Sequence, residues 1–355
     1  MTTPLQDILA AQIAASGPLT IADYMTACLL HPRHGYYTTR DPLGADGDFT
    51  TAPEISQMFG ELLGLSLAQS WLDQGAPSQI VLAELGPGRG SLMADALRAT
   101  ARIPGFHAAM SLHLVEASPS LRTEQAKRLG GFAPEWHDSI ETLPDQPLFL
   151  VANEFFDALP IRQFLRDGTG WRERVVGLDG ESLAPGLTAV SATSALSHRL
   201  DDTGDGDLVE TCAPAQAILQ GLGQRIGHRG GAALIIDYGD WRSLGDTLQA
   251  ISNHKPVDPF ATPGDADLTA HVDFEALAQV ANPARYTRLT PQGVFLERLG
   301  ITQRAQALAN RLSGDALETH VAAHRRLTHP DEMGSVFKVM GLYPDTCPPP
   351  PGLEP

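Results

Sequence analysis

Two carboxylates, an amide and two aromatic residues lie together in the stretch NEFFD at 153–157. The residues before it, 148–152, are all apolar and predict a buried strand, so the stretch follows a strand end. Residues three apart share one side of a turn, and a pair of carboxylates can bind a cation and accept a proton. We therefore predict Glu154 and Asp157 as catalytic residues. The alternative is a helix start capped by Asn153, with both phenylalanines in the core.

A second chemical signal is the glycine-rich segment ELGPGRG at 84–90, which follows an apolar run and precedes a helical pattern. Gly86, Gly88 and Gly90 permit dihedral angles that other residues avoid, and they let a ligand approach backbone N–H groups at the positive end of a helix. A dinucleotide fingerprint needs a further glycine where this chain has Ser91, and no phosphate-binding loop ending in Gly-Lys-Ser/Thr is present. The alternative is a tight turn that binds no ligand.

A further acidic residue, Glu116, ends the next apolar run at 111–116. A carboxylate at this position can accept hydrogen bonds from both hydroxyls of a ribose, which supports a ligand that contains adenosine. His31 and His34 have neither cysteines nor ordered carboxylates close to them in the sequence. No metal site is predicted.

Short apolar runs alternate with helical patterns from residue 79 onward, which predicts a parallel α/β sheet. The predicted strands are 79–85, 111–116, 148–152 and 232–237, and the helices between them are 90–103 and 118–130. Helices are also predicted at about 3–14, at about 20–31 and from 53 to about 73. The last part of the chain predicts strands at 286–290 and 335–343 with a helix near 301–312.

These elements divide the chain into three parts. Residues 1–75 form an N-terminal helical cap that carries a lid loop, and residues 76–343 form the ligand-binding α/β domain. That domain contains an α+β insertion at about 165–230, which includes a hairpin at 171–183. Residues 344–355 are rich in proline and are predicted to be a disordered tail.

The predicted lid loop contains Asp48, Phe49 and Thr50, in a segment rich in glycine, aspartate and threonine that shows no periodicity. Loops of this kind often close over a ligand, although a plain surface loop would have the same composition.

Asp237 and His271 are two further candidates that could line a substrate pocket. Asp237 ends another buried strand, at 232–237. Asp267 and His271 are spaced for one face of a short helix, and His271 could either relay a proton or make a packing contact.

The composition limits the class of protein. With 43% hydrophobic residues and no apolar run near the ~20 residues that span a bilayer, no membrane insertion is expected. The net charge of -17 disfavours binding to nucleic acid, which requires clustered basic residues. The three cysteines lie far apart and no secretory signal pattern is present, so we expect a cytoplasmic protein.

Six separated motifs, in order, resemble the MidA-like methyltransferases, and the similarity covers about residues 20–340. They are GYYTT (35–39), GDFTTAPEISQMFGELLG (47–64), ELGPGRG (84–90), NEFFDALPIRQF (153–164), IIDYG (235–239) and DLTAHVDF (267–274). The family includes a mitochondrial complex I assembly factor that methylates an arginine. The segment 84–90 by itself resembles the first motif of class I S-adenosylmethionine methyltransferases.

The resemblance implies a class I methyltransferase fold, which is a Rossmann-like, mostly parallel sheet, with S-adenosylmethionine as cofactor. It places the cofactor contacts at Glu84, Gly86, Gly88, Gly90, Glu116, Asp138, Ser139 and Asn153, with Asp138 and Ser139 near the adenine. An alternative for Asp138 and Ser139 is a plain surface turn.

The acceptor that the resemblance implies is an arginine of a protein, for example a subunit of respiratory complex I. An enzyme that methylates arginine must bind a cationic guanidinium between carboxylates and accept a proton, and Glu154 and Asp157 are predicted to do so. Two other functions stay open: a small-molecule methyltransferase of the same fold, and an assembly chaperone that binds the cofactor without catalysis. The insertion and the N-terminal cap favour a large acceptor because they add surface around the strand ends. The oligomeric state is left open.

Overall fold

A computed structural model of the chain describes residues 3–39, 51–252 and 254–355. The predicted lid residues Asp48, Phe49 and Thr50 lie outside these described residues. The helices are α1 Pro4–Ser16, α2 Ile21–Leu30, α3 Tyr36–Thr39, α4 Ala52–Ile55, α5 Gln57–Asp73, α6 Ser91–Thr100, α7 Phe106–Ala109, α8 Pro119–Leu129, α9 Ala213–Arg229, α10 Phe274–Gln279, α11 Gln292–Arg298, α12 Ile301–Ala309 and α13 Asp315–Thr328.

The strands form three sheets. They are β1 Leu19–Thr20, β2 Ile80–Leu85, β3 Met110–Val115, β4 Glu135–His137, β5 Leu148–Asn153, β6 Arg162–Asp167, β7 Gly170–Asp179, β8 Ser182–Leu187, β9 Leu208–Thr211, β10 Gly231–Asp240, β11 Gln249–Ser252, β12 Lys255–Val257, β13 Asp267–Thr269, β14 Val272–Asp273, β15 Arg285–Tyr286, β16 Thr290–Pro291 and β17 Phe337–Tyr343.

The central sheet has the strand order β15-β17-β10-β5-β2-β3-β4. Strands β4, β3, β2, β5 and β10 run parallel, and β17 pairs antiparallel with β10. Strands β2 and β5 are buried along their whole length, as expected where helices cover both faces of a parallel sheet. This architecture confirms the predicted class I methyltransferase fold.

Side chains alternate between two apolar cores on the faces of the central sheet. Leu82 points into the core that contains Phe59 of α5, whereas its neighbour Ala83 points into the core that contains Leu219 of α9 and Phe274 of α10. The two-residue period of a strand separates these neighbours to opposite faces. Helix α5 is therefore part of the sheet's own core.

The N-terminal residues 1–75, predicted as one cap, are divided between two cores. Helices α1 and α2 pack Leu9 and Tyr24 against Val176 and Leu183 of the inserted sheet, while α5 packs on the central sheet. The packing therefore does not divide at residue 75. Sequence analysis missed this because apolar periodicity shows that a helix buries one face but not which element covers that face.

The insertion forms its own antiparallel sheet with the order β1-β7-β6-β9, to which β8 adds on β7. The predicted hairpin is present as β7 and β8, with Asp179 opposite Ser182 at the turn. The inserted strands span 162–211, since α9 returns to the central sheet and packs Leu219 and Ile226 into its core.

The last residues, 344–355, pack against the protein instead of forming a disordered tail. Ser66 Oγ donates a hydrogen bond to the carbonyl of Pro351 at 3.0 Å, and the Arg288 N–H donates to the carbonyl of Glu354 at 2.9 Å. The Leu353 side chain is 7% exposed. The proline content of this segment is typical of disordered chains, but its carbonyls and one leucine contact the folded protein.

Among the described residues, no helix combines the length and the apolar character that crossing a membrane requires.

Helices α5 and α6 lie close together at Gly64, which predicts sensitivity to a single added methyl group. A Cβ at Gly64 would lie 2.6 Å from the Cα and 2.7 Å from the Cβ of Ala96, so the helices must separate. We expect Gly64→Ala to lower the free energy of unfolding by about 1–3 kcal/mol, the usual cost of overpacking. Urea unfolding followed by circular dichroism measures this. Gly131→Ala is the control, since a Cβ there meets nothing within 4 Å; equal midpoints for both variants would contradict the close packing.

Candidate active site

A cavity of about 420 Å³ lies at the carboxyl ends of the parallel strands. The residues that follow β2, β3, β4 and β5 form one wall of it, and residues of α2, α3 and α4 form the other. From β2 the chain passes outward to β3 and β4, and then returns to β5 on the other side of β2. Ligands of open α/β sheets bind at such a reversal of strand order, so the cavity is the expected ligand site.

The glycine-rich loop forms the floor of this cavity between β2 and α6. Gly86, Gly88 and Gly90 have φ of 59°, 52° and 76°, values in the left-handed region that favours glycine. The Gly86 N–H donates to the carbonyl of Val115 at 3.0 Å, and the Gly88 carbonyl accepts from Gln125 Nε2 at 2.7 Å. These contacts connect the loop to β3 and to α8.

Two buried polar atoms at the cavity have no hydrogen-bond partner among the described residues. They are Glu84 Oε2 at the end of β2 and Asn153 Oδ1 at the end of β5, and both residues line the cavity. Burial, together with the nearby Glu116 carboxylate, raises the pKa of Glu84 to about 8. Unpartnered acceptors at this depth fit a ligand that donates hydrogen bonds or carries positive charge.

Glu116 lies at the cavity at the end of β3 and is already held in place. Its Oε1 accepts from the Ser118 N–H at 2.8 Å, and its Oε2 accepts from Gln125 Nε2 at 3.2 Å. Burial raises the pKa of Glu116. Asp138 and Ser139 also line the cavity, after β4, and the exposed Asp138 carboxylate accepts from Arg122.

Glu154 lines the cavity where β5 ends, and its backbone has φ of 52°. A left-handed conformation is uncommon for a non-glycine residue and persists where the surroundings impose it. Glu154 Oε1 accepts from the Ala52 N–H at 3.2 Å and from Asn153 Nδ2 at 3.0 Å. Burial raises the pKa of Glu154 to about 7, and the charge of Asp157 adds to the shift.

Asp157 and Asp237 lie beneath the cavity, not in its wall. Asp157 is 6% exposed, and its carboxylate bonds to Tyr238. Asp237 is fully buried, and its Oδ2 accepts from the N–H groups of Phe156 at 2.9 Å and of Asp157 at 3.2 Å. The prediction that Asp237 lines the acceptor pocket is therefore wrong, since this side chain holds the turn after β5. Glu154 lines the cavity and Asp157 does not, so the two predicted catalytic carboxylates do not share its wall.

His271 is not part of this site. Residues 267–273 form β13 and β14 instead of the predicted short helix, because both segments find strand partners in β11 and β10. The His271 ring packs edge-on against Tyr238 at 5.4 Å and lines a different cavity. Asp267 lines the main cavity instead, where its Oδ1 accepts from the hydroxyl of Tyr37 at 2.7 Å. Sequence analysis named Asp267 only as a neighbour of His271 on one helix face; the strand β13 brings it to the cavity instead.

The fold and this site define a class I methyltransferase that uses S-adenosylmethionine. A family model described as S-adenosyl-L-methionine-dependent methyltransferase matches residues 62–292. The chain belongs to this family, as the sequence resemblance predicts, and it is an enzyme.

Curated relatives and a solved structure agree with this assignment. The chain is 39% identical over 361 residues to "Protein arginine methyltransferase NDUFAF7, mitochondrial" of Danio rerio, which covers 94% of this chain and 85% of the relative. The Homo sapiens protein of the same name is 36% identical and covers 96% and 84%. A Burkholderia thailandensis protein crystallised with S-adenosyl-homocysteine has a TM-score of 0.82, 29% identity and coverage of 96% and 91%.

The predicted cytoplasmic location is wrong, because these relatives are named as mitochondrial proteins. The separated cysteines behind that prediction do not distinguish the cytoplasm from other compartments in which thiols stay reduced.

Burial of Glu84 predicts a loss of stability with rising pH. The pKa of Glu84, about 8 in the fold, lies above the 4.5 of an ordinary glutamate, so the folded state binds more protons between these two values. The stabilising contribution is complete below the unfolded pKa and is lost as pH rises through the folded pKa, by at most about 1.4 kcal/mol per pH unit. Unfolding in urea between pH 5.5 and 8.5 measures the slope. We expect the free energy of unfolding to fall less steeply with pH in Glu84→Gln than in wild type, and equally steeply in the control Glu318→Gln, which changes an exposed residue. Equal slopes for wild type and Glu84→Gln would refute the raised pKa.

Glu116 offers a test of the cofactor site. We expect Glu116→Gln to weaken binding of S-adenosylmethionine by about tenfold to a hundredfold, since charge-assisted hydrogen bonds contribute on the order of 1.5–3 kcal/mol. Isothermal titration calorimetry measures the affinity. The control is Glu124→Gln on α8, an exposed carboxylate that pairs with Lys127. Wild-type affinity in Glu116→Gln would remove this residue from the cofactor site.

Proposed function

We propose that this enzyme transfers a methyl group to a guanidinium nitrogen of an arginine in a protein. The observation that carries the proposal is Glu154, a carboxylate with a raised pKa in the cavity wall, held in a left-handed conformation. Relatives that align with nearly the whole chain are named protein arginine methyltransferases, which supports the same acceptor class here.

The chemistry of arginine explains why carboxylates belong at this position. A guanidinium is protonated at all physiological pH values, so its binding needs negative charge and its methylation must release a proton. Glu154 and Asp267 both line the cavity, and we assign them to the guanidinium in place of the predicted pair Glu154 and Asp157. A carboxylate with a pKa of about 7 is a better proton acceptor than one near 4.5, so Glu154 is our base.

Asp157 then acts on Glu154 from below the cavity. Its charge is one cause of the raised pKa of Glu154, and its own pKa is raised by burial to about 6. Asp157 is a positioning residue in this proposal, because its carboxylate bonds to Tyr238 and not to the acceptor.

We assign the rest of the cavity to the cofactor by matching the polar groups of the cofactor to the residues that line it. S-adenosylmethionine carries a sulfonium and an amino group, and it supplies the methyl group. We assign the amino group to the unpartnered acceptors of Glu84 and Asn153, and the ribose hydroxyls to Glu116. The loop of Gly86, Gly88 and Gly90 receives the methionine half, and Asp138 with Ser139 borders the adenine.

Apolar residues that line the cavity could hold the stem of an arginine side chain. We assign Leu159 and Pro160 to that stem, since apolar surface suits its methylene groups. The acceptor that we propose is an arginine of a respiratory complex I subunit, as the sequence resemblance implies. A small-molecule acceptor is the competing possibility that the experiment below separates.

Replacement of the proposed base tests this function. We expect Glu154→Gln to bind S-adenosylmethionine as wild type does and to transfer the methyl group about a hundredfold more slowly or worse, because a positioned base is lost. Wild-type transfer should rise with pH through about 7, the pKa of Glu154, since the carboxylate form accepts the proton. Single-turnover transfer of labelled methyl groups to proteins of cells that lack this enzyme measures the rate. Mass spectrometry then locates the methylated arginine.

Asp157→Asn is the matched variant. We expect it to keep most of the transfer activity and to move the rise of the pH profile to lower pH, because one cause of the raised pKa of Glu154 is removed. Full activity in Glu154→Gln would rule out this base, and label found only in small molecules would rule out the protein acceptor.

A further inference from the structure

Two histidines of neighbouring strands face each other at the edge of the central sheet. His113 lies on β3 and His137 on β4, and the distance between His113 Nδ1 and His137 Nε2 is 2.9 Å. His113 is 1% exposed, whereas His137 is half-buried. Glu135 lies opposite His113 in the pairing of β3 with β4, and its carboxylate is close to both rings. One potential ligand atom from each of the three residues lies within 4.8 Å of the others.

The hydrogen bonds around His113 allow its Nδ1 to face His137 with a lone pair. Its Nε2 lies 2.9 Å from Ser111 Oγ, and Ser111 Oγ lies 3.3 Å from the carbonyl of Ile80. When the single hydroxyl hydrogen of Ser111 goes to Ile80, the His113 ring donates from Nε2 and its Nδ1 keeps the lone pair.

The same argument applies to His137. Its Nδ1 lies 2.8 Å from Thr142 Oγ1, and Thr142 Oγ1 donates to the carbonyl of Ser139 at 3.1 Å. When the hydroxyl hydrogen of Thr142 goes to Ser139, the His137 ring donates from Nδ1, which leaves the lone pair on Nε2. In these tautomers two lone pairs face each other across 2.9 Å, as two imidazole ligands of one metal ion do; in the alternative tautomers one ring donates a hydrogen bond to the other.

A zinc ion fits the arrangement. Zinc binds imidazole nitrogen at about 2.0–2.1 Å, so two nitrogens of a tetrahedral site lie roughly 3.3 Å apart. His113 and His137 would need to separate by only about 0.4 Å from their present 2.9 Å to reach that geometry. Their remaining N–H groups already donate to hydroxyls, as the outer hydrogen bonds of metal-binding histidines do. Glu135 is exposed, which leaves a fourth position open to water.

We propose that His113, Glu135 and His137 form a binding site for a divalent transition-metal ion of the zinc type. The site is separate from methyl transfer. It would link β4, a strand of three residues, to β3. His137 also directly precedes Asp138 and Ser139, so a bound ion would fasten the segment that borders the cavity. The sequence predicts no metal site because the two histidines lie far apart in the chain and only the pairing of β3 with β4 joins them.

Calorimetric titration of the chelator-treated full chain with Zn²⁺ tests the proposal. We expect one equivalent to bind with micromolar affinity or better, and Mg²⁺, which prefers oxygen ligands, to give no signal. We expect His137→Gln to weaken Zn²⁺ binding by about a hundredfold and Glu135→Gln by about tenfold. The control is His228→Gln, an exposed histidine on α9 that should bind Zn²⁺ as wild type does.

Cofactor affinity and circular dichroism report whether each variant is folded. Wild-type protein that takes up no Zn²⁺, or His137→Gln that binds it as wild type does, would overturn the site. If His137→Gln does not fold, exposed Glu135→Gln and zinc-edge X-ray absorption of the wild-type complex decide. Two imidazole ligands on the ion support the proposal, and fewer than two refute it.

Discussion

The chain leaves β2 and β5 in opposite directions from adjacent positions in the sheet, and this divergence opens the crevice in which the site lies. One helix cannot cover the backbone N–H groups at both strand ends. The first residue of each following loop therefore donates its N–H to a carbonyl of the neighbouring strand. Gly86 meets this need through the carbonyl of Val115, and Glu154 does so through the carbonyl of Ile236 at 2.9 Å. The positions of Glu84, Glu116, Asn153 and Glu154 all follow from these strand ends.

Several of the side chains at these strand ends are buried carboxylates, and burial of a carboxylate lowers the stability of a folded protein. A buried carboxylate loses hydration, and its pKa rises until protonation or a partner compensates. The pKa values of Glu84 and Glu154 both show this shift, and one oxygen of Glu84 has no hydrogen-bond partner in the described part of the chain. A core of this size could have used apolar residues at both positions, so retained acids at depth indicate that a ligand, not stability, accounts for them.

The second wall of the cavity is built from parts that are far apart in the chain. Helix α2 and Tyr37 reach it because α1 and α2 pack on the inserted sheet, and Asp267 reaches it through β13. The insertion thus does more than add surface around the strand ends. It supports the helices that form the second wall of the cavity, and the hydrogen bond from Tyr37 to Asp267 links the two parts.

The sequence by itself determined the α/β fold, the glycine-rich loop, the acidic ends of β2, β3 and β5, and the cofactor class. These features are local, because apolar periodicity and glycine spacing act within one strand, turn or helix. Only the tertiary structure decided that Asp157 and Asp237 lie beneath Glu154, that His271 faces another cavity while Asp267 enters this one, and that Leu353 packs against the protein. It also brought His113 and His137 together. Each of these outcomes depends on which distant element covers a side chain, and that is fixed by packing between elements, about which the spacing of residues along the chain carries no information.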